Sequence, residues 1–408
     1  MSSEVVHLPS LAPGSASAAP SAPVAVSKRG RFLYIDNLRI LLITLVVVQH
    51  LSVTYGATGD WYYRDPTTDT FTSTFLTLWN GPGQAAGMGL FFLIAAYFTP
   101  GSYDRKGGRA FLRDRLIRLG IPVLVYTLLI DPLVDYIAKG LHGSYWSAYS
   151  GYLLRLRGVT GPVWFIAVLL VFTLLYAAWR RLAESGVRFM RRLDTPTPLP
   201  SYGAMLAFIL ALGVTTFIVR IWWPVTAFFQ PLNVSISYLP QYASMFILGL
   251  IAYRGDWFAK LTPKMAKIWT LVLGVSLVTF AGLALIAIVG GTGRNGDDPG
   301  AAIAGGLHWM ALIYAMWEPV ILVCASIGLL TLFRERLDRQ SRWAKEASAS
   351  AYTVYLIHPL VLVPFCYAFH AVALFPLLKF VVAALITLPL CFLVSSAVRR
   401  IPALNRAL

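Results

Sequence analysis

An arginine and a histidine, Arg39 and His50, bracket ten mostly apolar residues near the start of the chain. Eleven helical steps of about 100° make roughly three full turns, so both side chains share one helix face, about 16 Å apart along the axis. A cation and a titratable imidazole are costly inside a membrane, and such residues are usually functional. Because an imidazole is suited to accepting a proton from a hydroxyl group near neutral pH, His50 is the candidate base.

Two further titratable residues fall inside apolar segments. Glu318 lies near the middle of a hydrophobic stretch, where a carboxylate must face a polar cavity or a cation, or else be protonated. It could orient His50, hold a substrate hydroxyl, or pair structurally with an arginine. Pro319 frees a backbone carbonyl one turn earlier, and cavities often accompany such breaks. His358 fits a helix-packing polar group as well as it fits a site residue.

Charged residues also gather where hydrophobic segments begin or end. Arg115 and Arg118 belong to a dense basic cluster at a helix start, where most arginines set topology but some bind phosphates by charge-assisted bonds. Asp131 and Asp135 share one face, four residues apart, near the outer end of the same segment. For these two carboxylates a solvated helix end is favoured over binding of an acceptor.

Familiar sequence motifs for metals and nucleotides are missing from the chain. No P-loop, GxSxG, HExxH or dinucleotide fingerprint occurs in a credible context. The cysteines give neither a disulfide framework nor a metal-ligand spacing, and they are interpreted as small residues of the membrane core. No metal site is predicted. The three cysteines are Cys324, Cys366 and Cys391.

The composition indicates an integral membrane protein. Of 408 residues, 57% are hydrophobic and only 13% are charged, whereas charged residues make up about a quarter of soluble domains. The mean hydropathy is +0.67. A membrane-spanning helix needs about 20 apolar residues, and the sequence predicts an all-α, polytopic bundle of about ten such helices. The predicted segments are about 38–56, 82–100, 117–138, 161–180, 202–221, 238–254, 268–290, 307–332, 350–369 and 375–398.

The basic residues predict the orientation of this bundle. Most of the 34 Lys and Arg residues fall in alternate loops, which places those loops and both termini in the cytoplasm. This asymmetry accounts for the net charge of +16 without nucleic acid. Arg220 and Lys379 are among the few cations assigned to the outer side. Residues 1–30, rich in Ala, Pro and Ser, are expected to be a disordered cytoplasmic tail, so the first hydrophobic segment acts as an uncleaved anchor.

The outer loops are aromatic and acidic. The clearest case contains Trp61, Tyr62 and Tyr63. An interfacial aromatic belt is the favoured interpretation. The alternative is a platform on which a sugar ring or another polar acceptor stacks.

Seven motifs follow one another along the chain: Arg39 with His50, Gly89–Leu93, Arg115–Pro122, Gly161–Ile166, Phe246–Gly249, Trp317–Glu318 and Tyr355–His358. In this order and spacing they resemble the acyltransferase-3 family of membrane-bound acyltransferases. The resemblance extends over about residues 31 to 400. It is closest to the branch containing the glucan biosynthesis C proteins, which succinylate periplasmic glucans. One departure is that Ala95 and Ala96 stand where the family commonly has a Ser-Gly pair.

The resemblance implies a membrane acyltransferase domain over residues 31–400 and a cytoplasmic tail over 401–408. It implies O-acyl transfer, of an acetyl or succinyl group, from cytoplasmic acyl-CoA to a hydroxyl of an extracytoplasmic acceptor, a polysaccharide or glucan. The location is then the bacterial inner membrane. The basic inner face, with Arg39, Arg115 and Arg118, would hold the coenzyme phosphates. His50 would deprotonate the acceptor while Glu318 or His358 orients it; an acyl-histidine intermediate stays open.

A different class of protein also fits the buried polar residues. Buried His and Glu side chains serve proton relays in transporters, so a proton-coupled exporter is the alternative function. The sequence shows no internal repeat of the kind common in transporters. It leaves open the acyl group, the acceptor, the oligomeric state and the arginines that bind the coenzyme.

Overall fold

A computed structural model describes residues 32–67, 69–155, 161–185, 195–230, 232–289 and 303–401. By its internal contacts the chain divides into two units, residues 1–32 and 33–408. The predicted N-terminal tail and all but the first residue of the predicted C-terminal tail lie outside the described residues. So does the acidic outer loop around residues 295–298.

The described residues form ten helical stretches long and apolar enough to cross a membrane, which confirms the predicted all-α polytopic bundle. The helices are α1 Leu33–Thr54, α2 Thr70–Tyr97, α3 Thr99–Lys106, α4 Gly108–Arg115, α5 Ile121–Val125, α6 Asp131–Ala138, α7 Tyr145–Arg155, α8 Trp164–Glu184, α9 Tyr202–Trp222, α10 Leu239–Gly255, α11 Trp257–Lys260, α12 Pro263–Val289, α13 Trp309–Arg336, α14 Arg342–Phe369 and α15 Pro376–Arg399. Two short antiparallel strands, β1 Phe228–Phe229 and β2 Val234–Ser235, precede α10.

The first helix packs against a helix from the far end of the sequence. Near the start of α1, the Asn37 side-chain amide donates hydrogen bonds of 2.6 and 2.9 Å to the carbonyls of Leu337 and Arg339, just before α14. Helices α1 and α14 therefore begin at the same level. His50 and His358 lie about equally far along them, and the two side chains can meet.

The third predicted span is less regular than its apolar sequence indicates. Two π-helical turns, Leu116–Gly120 and Tyr126–Ile130, flank α5. A proline follows each turn within two residues, Pro122 and Pro132, and proline removes one backbone donor from the helical ladder. The extra residue in each π turn changes the direction of the side chains that follow. Asp131 begins α6 directly after the second turn.

Two cations that charge counting assigns to the outer side are instead buried in helices. The Arg220 side chain in α9 is 0% exposed and the Lys379 side chain in α15 is 1% exposed. Each contacts a buried carboxylate, Glu318 and Asp65 respectively. Neither cation is solvated at a loop, because each is neutralised by a buried partner inside the bundle, and their outer placement stays a prediction.

Candidate active site

The two histidines singled out in the sequence form a hydrogen-bonded pair. Nδ1 of His50 lies 3.0 Å from Nε2 of His358, and the rings are nearly parallel, with centroids 5.0 Å apart. His358 is fully buried and His50 is partly buried. Helices α1 and α14 thus bring together residues that are 308 positions apart.

The proline after His358 explains how its ring is held. In a regular helix the backbone N–H of residue 359 would bond the carbonyl of residue 355, but Pro359 has no N–H. Nδ1 of His358 lies 2.8 Å from that Tyr355 carbonyl oxygen and takes the place of the missing donor. Helix α14 continues through Pro359 to Phe369. The break in the ladder therefore becomes a fixed attachment for the imidazole.

These contacts define where the protons lie in the neutral pair. A carbonyl oxygen only accepts, so Nδ1 of His358 carries a proton and its Nε2 holds a lone pair. His50 must then donate through its own Nδ1. Its Nε2 is left with a lone pair, which is the form that a general base requires.

A tryptophan from the loop after α1 covers the imidazole of His50. The Trp61 ring stacks on His50 with centroids 4.0 Å apart and planes 16° apart. Tyr62 meets Trp61 edge to face at 5.2 Å. Because an indole face attracts a cation, this stack would stabilise His50 if its imidazole took up a proton. The aromatic group that follows α1 is folded against the site, which the interfacial-belt interpretation does not describe.

Next to His50, polar side chains form hydrogen bonds between α1 and α2. The Ser52 hydroxyl donates to Oδ1 of Asn80 at 2.7 Å, and the Gln49 amide donates to the Asn80 carbonyl at 3.4 Å. A Cβ atom at Gly83 would overlap the Gln49 amide. The glycine thus allows a polar side chain to lie between two tightly packed helices, one residue from the candidate base.

Asp131 is part of this region and is not a solvated helix end. The carboxylate is only 2% exposed and accepts hydrogen bonds from the hydroxyls of Tyr62 and Tyr152. Tyr126 completes the cluster, with its hydroxyl 2.9 Å from that of Tyr62. Asp135 is more open and pairs with Lys139. The favoured sequence interpretation is therefore wrong for Asp131.

The tyrosines of this loop remain phenols at neutral pH. Burial raises the pKa of Tyr62 well above its usual value, and the neighbouring Tyr126 and Asp131 raise it further. Burial also raises the pKa of Tyr63 to about 12. The Tyr62 hydroxyl therefore keeps its proton and donates a hydrogen bond to Asp131.

Glu318 pairs with an arginine and does not contact the histidines. Its Oε2 lies 2.6 Å from Nη2 of Arg220, and both side chains are fully buried. The guanidinium carbon of Arg220 lies 5.0 Å from the ring centre of Tyr238 and 5.2 Å from that of Tyr314. Among the described residues, no hydrogen bond or ion pair joins Glu318 to His50 or His358. Of the three alternatives that the sequence leaves open for Glu318, this arrangement corresponds to a structural pair with an arginine.

The three candidate phosphate-binding arginines are more exposed than the buried Arg220. Nη1 of Arg39 is 3.4 Å from Asp36, and its side chain is 40% exposed. The guanidinium also lies over the ring of Phe98, which follows α2. Arg115 lies over the ring of Phe111. The Arg118 side chain is 65% exposed, and its Nε lies 3.2 Å from Oδ1 of Asp114.

The described residues contain no group of three or more His, Cys, Asp or Glu side chains placed to hold a metal ion. All three cysteines are buried and unpaired, as small residues of the core would be.

The fold is a bundle of membrane-spanning helices, and a histidine pair lies in it under an aromatic loop. These features define a membrane protein with a polar site among its helices. The acyltransferase domain family matches residues 32–396 of the chain. The chain belongs to this family, and the resemblance inferred from the motifs is confirmed.

The curated relatives are similar over part of their length. A glucans biosynthesis protein C from Salmonella heidelberg is 27% identical over 240 residues, which is 55% of this chain and 58% of the relative. Another protein of the same name, from Salmonella paratyphi B, is 26% identical over the same extent. The chain thus spans little more than half the length of these relatives. No solved structure matches it.

Proposed function

We propose that this protein transfers an acyl group, acetyl or succinyl, from acyl-CoA on the cytoplasmic side to a hydroxyl group of an extracytoplasmic glycan. The family supports acyl transfer. The relatives named for glucan biosynthesis support a glycan as the acceptor. The most direct support from the structure is the histidine pair, because its hydrogen bonds leave Nε2 of His50 as a free base.

In the proposed reaction Nε2 of His50 takes the proton of the acceptor hydroxyl as the oxygen attacks the thioester carbonyl carbon. A C–O bond forms, the C–S bond breaks, and the coenzyme leaves as a thiolate. The thiolate then takes the proton from His50 and departs as the free thiol. His358 stays neutral and keeps the His50 ring in one tautomer and one orientation, as the buried partner does in other histidine-based sites.

The donor would enter from the opposite end of the same helix face. Arg39 lies about 16 Å from His50 along α1, a distance comparable to an extended pantetheine arm. The coenzyme phosphates would bind Arg39, with Arg115 and Arg118 as further partners. Arginine suits this role because its planar guanidinium forms two parallel bonds to a phosphate. The thioester would then lie beside the imidazole.

Two chemical routes through His50 can be separated by mass spectrometry. In the base mechanism, protein incubated with acyl-CoA and no acceptor keeps its own mass. In the covalent route Nε2 attacks the thioester, the free thiol leaves, and the protein gains one acyl group on His50. We assign His50 the role of base, and an acyl adduct on its peptide would replace that assignment with the covalent one.

For Glu318 we propose a structural role. Its carboxylate already neutralises a buried arginine, and removing one partner of such a pair is strongly destabilising. A Glu318→Gln variant should therefore lower the thermal stability of the detergent-solubilised protein. If the stability is unchanged and acyl transfer is lost, Glu318 acts on the substrate instead.

The proposed function is tested by replacing His50. A His50→Ala variant should lose about 10²- to 10⁴-fold in acyl transfer, the range that a general base contributes. Surface glycans are analysed by mass spectrometry with and without the gene, and purified protein in liposomes is assayed with acetyl-CoA and succinyl-CoA. The matched control is His308→Ala, a histidine before α13 that lies outside the pair. Full activity of His50→Ala at normal expression contradicts the mechanism.

The alternative function, a proton-coupled exporter, gives different results in the same experiment. An exporter moves its substrate without acyl-CoA, and the glycan masses do not depend on the gene. The same liposomes, loaded with candidate solutes and given a pH gradient, measure that movement. Transport without any mass gain on the glycans would favour the exporter.

A further inference from the structure

The loop that carries Trp61 is held to the bundle by two buried carboxylates. The site loop, defined as residues 55–67, leaves α1 and lies against His50 through the Trp61 stack. It has little regular structure, and Gly56, at φ +128°, gives it a conformation open mainly to glycine. Such a loop keeps a single geometry only if other contacts fix it.

The first attachment is an ion pair with the last helix. Nζ of Lys379 lies 3.1 Å from Oδ2 of Asp65, and the two side chains are 1% and 0% exposed. The same ammonium group donates to the carbonyl of His370 at 3.0 Å. The backbone of Asp65 in turn donates to the Thr54 carbonyl, at the end of α1, at 2.8 Å. The start of α15 therefore fixes the far part of the site loop.

The second attachment is the Asp131 carboxylate at the start of α6. It accepts the hydroxyls of Tyr62 and Tyr152, one on each oxygen. The space for this contact depends on Gly161, since a Cβ atom there would overlap the Tyr62 hydroxyl and lie 2.7 Å from Oδ1 of Asp131. Tyr62 follows Trp61 directly, so this contact fixes the residue next to the indole.

We propose that Lys379 and Asp131 are positioning residues that hold the site loop at Asp65 and Tyr62 and so keep Trp61 stacked on His50. A buried ion pair usually adds little stability over apolar residues of the same size. The ion pair instead fixes geometry, because its two charges are both satisfied in only one arrangement of the loop. The two attachments come from helices far apart in the sequence, α6 and α15, and hold Tyr62 and Asp65, three positions apart in the loop.

The proposal is tested by the access of a small reagent to His50. Diethyl pyrocarbonate carbethoxylates exposed imidazoles, and peptide mass spectrometry reports each histidine separately. In Lys379→Met the modification of His50 should become several times faster relative to His308 in the same molecule. Because this measurement requires no turnover, it tests the positioning role even if the proposed acyl transfer fails.

The kinetic arm of the test rests on the proposed function. Lys379→Met and Asp131→Asn should lower kcat by on the order of 10- to 100-fold, a range reached when a site is displaced by about 1 Å. The KM for acyl-CoA should not change, since the donor enters at the other end of α1. The matched control is Lys139→Met, which breaks an open ion pair on α6 and should leave both measurements unchanged.

A further variant separates positioning from loss of folding. Asp65→Asn with Lys379→Met removes both charges, so no uncompensated charge stays buried. This double variant should fold, as judged by its melting temperature and size-exclusion profile, and still show faster modification of His50. Folded Lys379→Met, Asp131→Asn and double variants with unchanged modification of His50 would overturn the proposal. A fall of kcat without any change in access would also overturn it.

Discussion

The two ends of the helix face that carries Arg39 and His50 are built differently. At the His50 end the side chain has a ring stacked on one face and a fixed hydrogen-bond partner on Nδ1. At the Arg39 end the guanidinium is 40% exposed and contacts a carboxylate three residues away at 3.4 Å. In the proposed mechanism the His50 end would hold a reacting atom, which must be placed closely, and the more exposed Arg39 end would bind and release the charged donor.

Among variants that leave His50 itself in place, the largest effect in this comparison is expected where its hydrogen-bond partner is removed. His358→Ala removes the acceptor that fixes the His50 tautomer, and we expect kcat to fall about 100-fold, within the range of lost second-layer partners. The KM for acyl-CoA should stay the same. Steady-state kinetics in liposomes measure both values. A His358→Ala enzyme with normal kcat would show that the pairing of the histidines is incidental.

A smaller effect of the opposite kind is expected at the open end. Arg39→Ala should raise the KM for acyl-CoA about tenfold and leave kcat nearly unchanged, since a charged hydrogen bond contributes about 1.5–3 kcal/mol. The effect should shrink as salt is added, because exposed charges are screened within about 10 Å at 0.1 M salt. A fall in kcat with constant KM would place Arg39 in the chemistry and remove the contrast between the ends.

The smallest effect is expected at Arg118. This side chain is 65% exposed and already lies near Asp114, and an exposed ion pair contributes only about 0–1 kcal/mol. Arg118→Ala should therefore change the KM for acyl-CoA by about fivefold or less. Arg115→Ala in the same assay is the matched comparison, because Arg115 is more buried against Phe111. A tenfold effect at Arg118 would make this arginine a principal phosphate ligand.

The helices and the central histidines could be predicted from the sequence, for simple physical reasons. An apolar run long enough to cross the bilayer predicts a membrane-spanning helix. All ten predicted spans are present as helices among the described residues. The Arg39–His50 spacing places both on one face because helix geometry is fixed. His358 was identified as a candidate because a polar residue in an apolar run is costly. Its partner was not identified, since α1 and α14 meet only in three dimensions.

The residues that sequence reasoning missed are those whose burial depends on a distant partner. Lys379 and Arg220 lie near span ends, where an isolated cation would face water. Asp131 lies four residues from Asp135, a spacing typical of a solvated helix end. Its burial depends on hydrogen bonds from Tyr62 and Tyr152, which the sequence does not reveal. One local signal was available, since the proline after His358 leaves the carbonyl of residue 355 without its usual donor. This unpaired carbonyl predicts that the nearer ring nitrogen of His358, Nδ1, would donate the replacement hydrogen bond.

The long separation of paired residues has a consequence for biogenesis. His50 and His358 are 308 positions apart, and Lys379 lies 314 positions after Asp65. Contacts of such high sequence separation form late, after most of the chain is available. The ribosome and the insertion machinery therefore deliver α1 long before its partners exist. In the proposed mechanism a nascent or truncated protein would lack the paired base, so reactivity would be postponed until the bundle is whole.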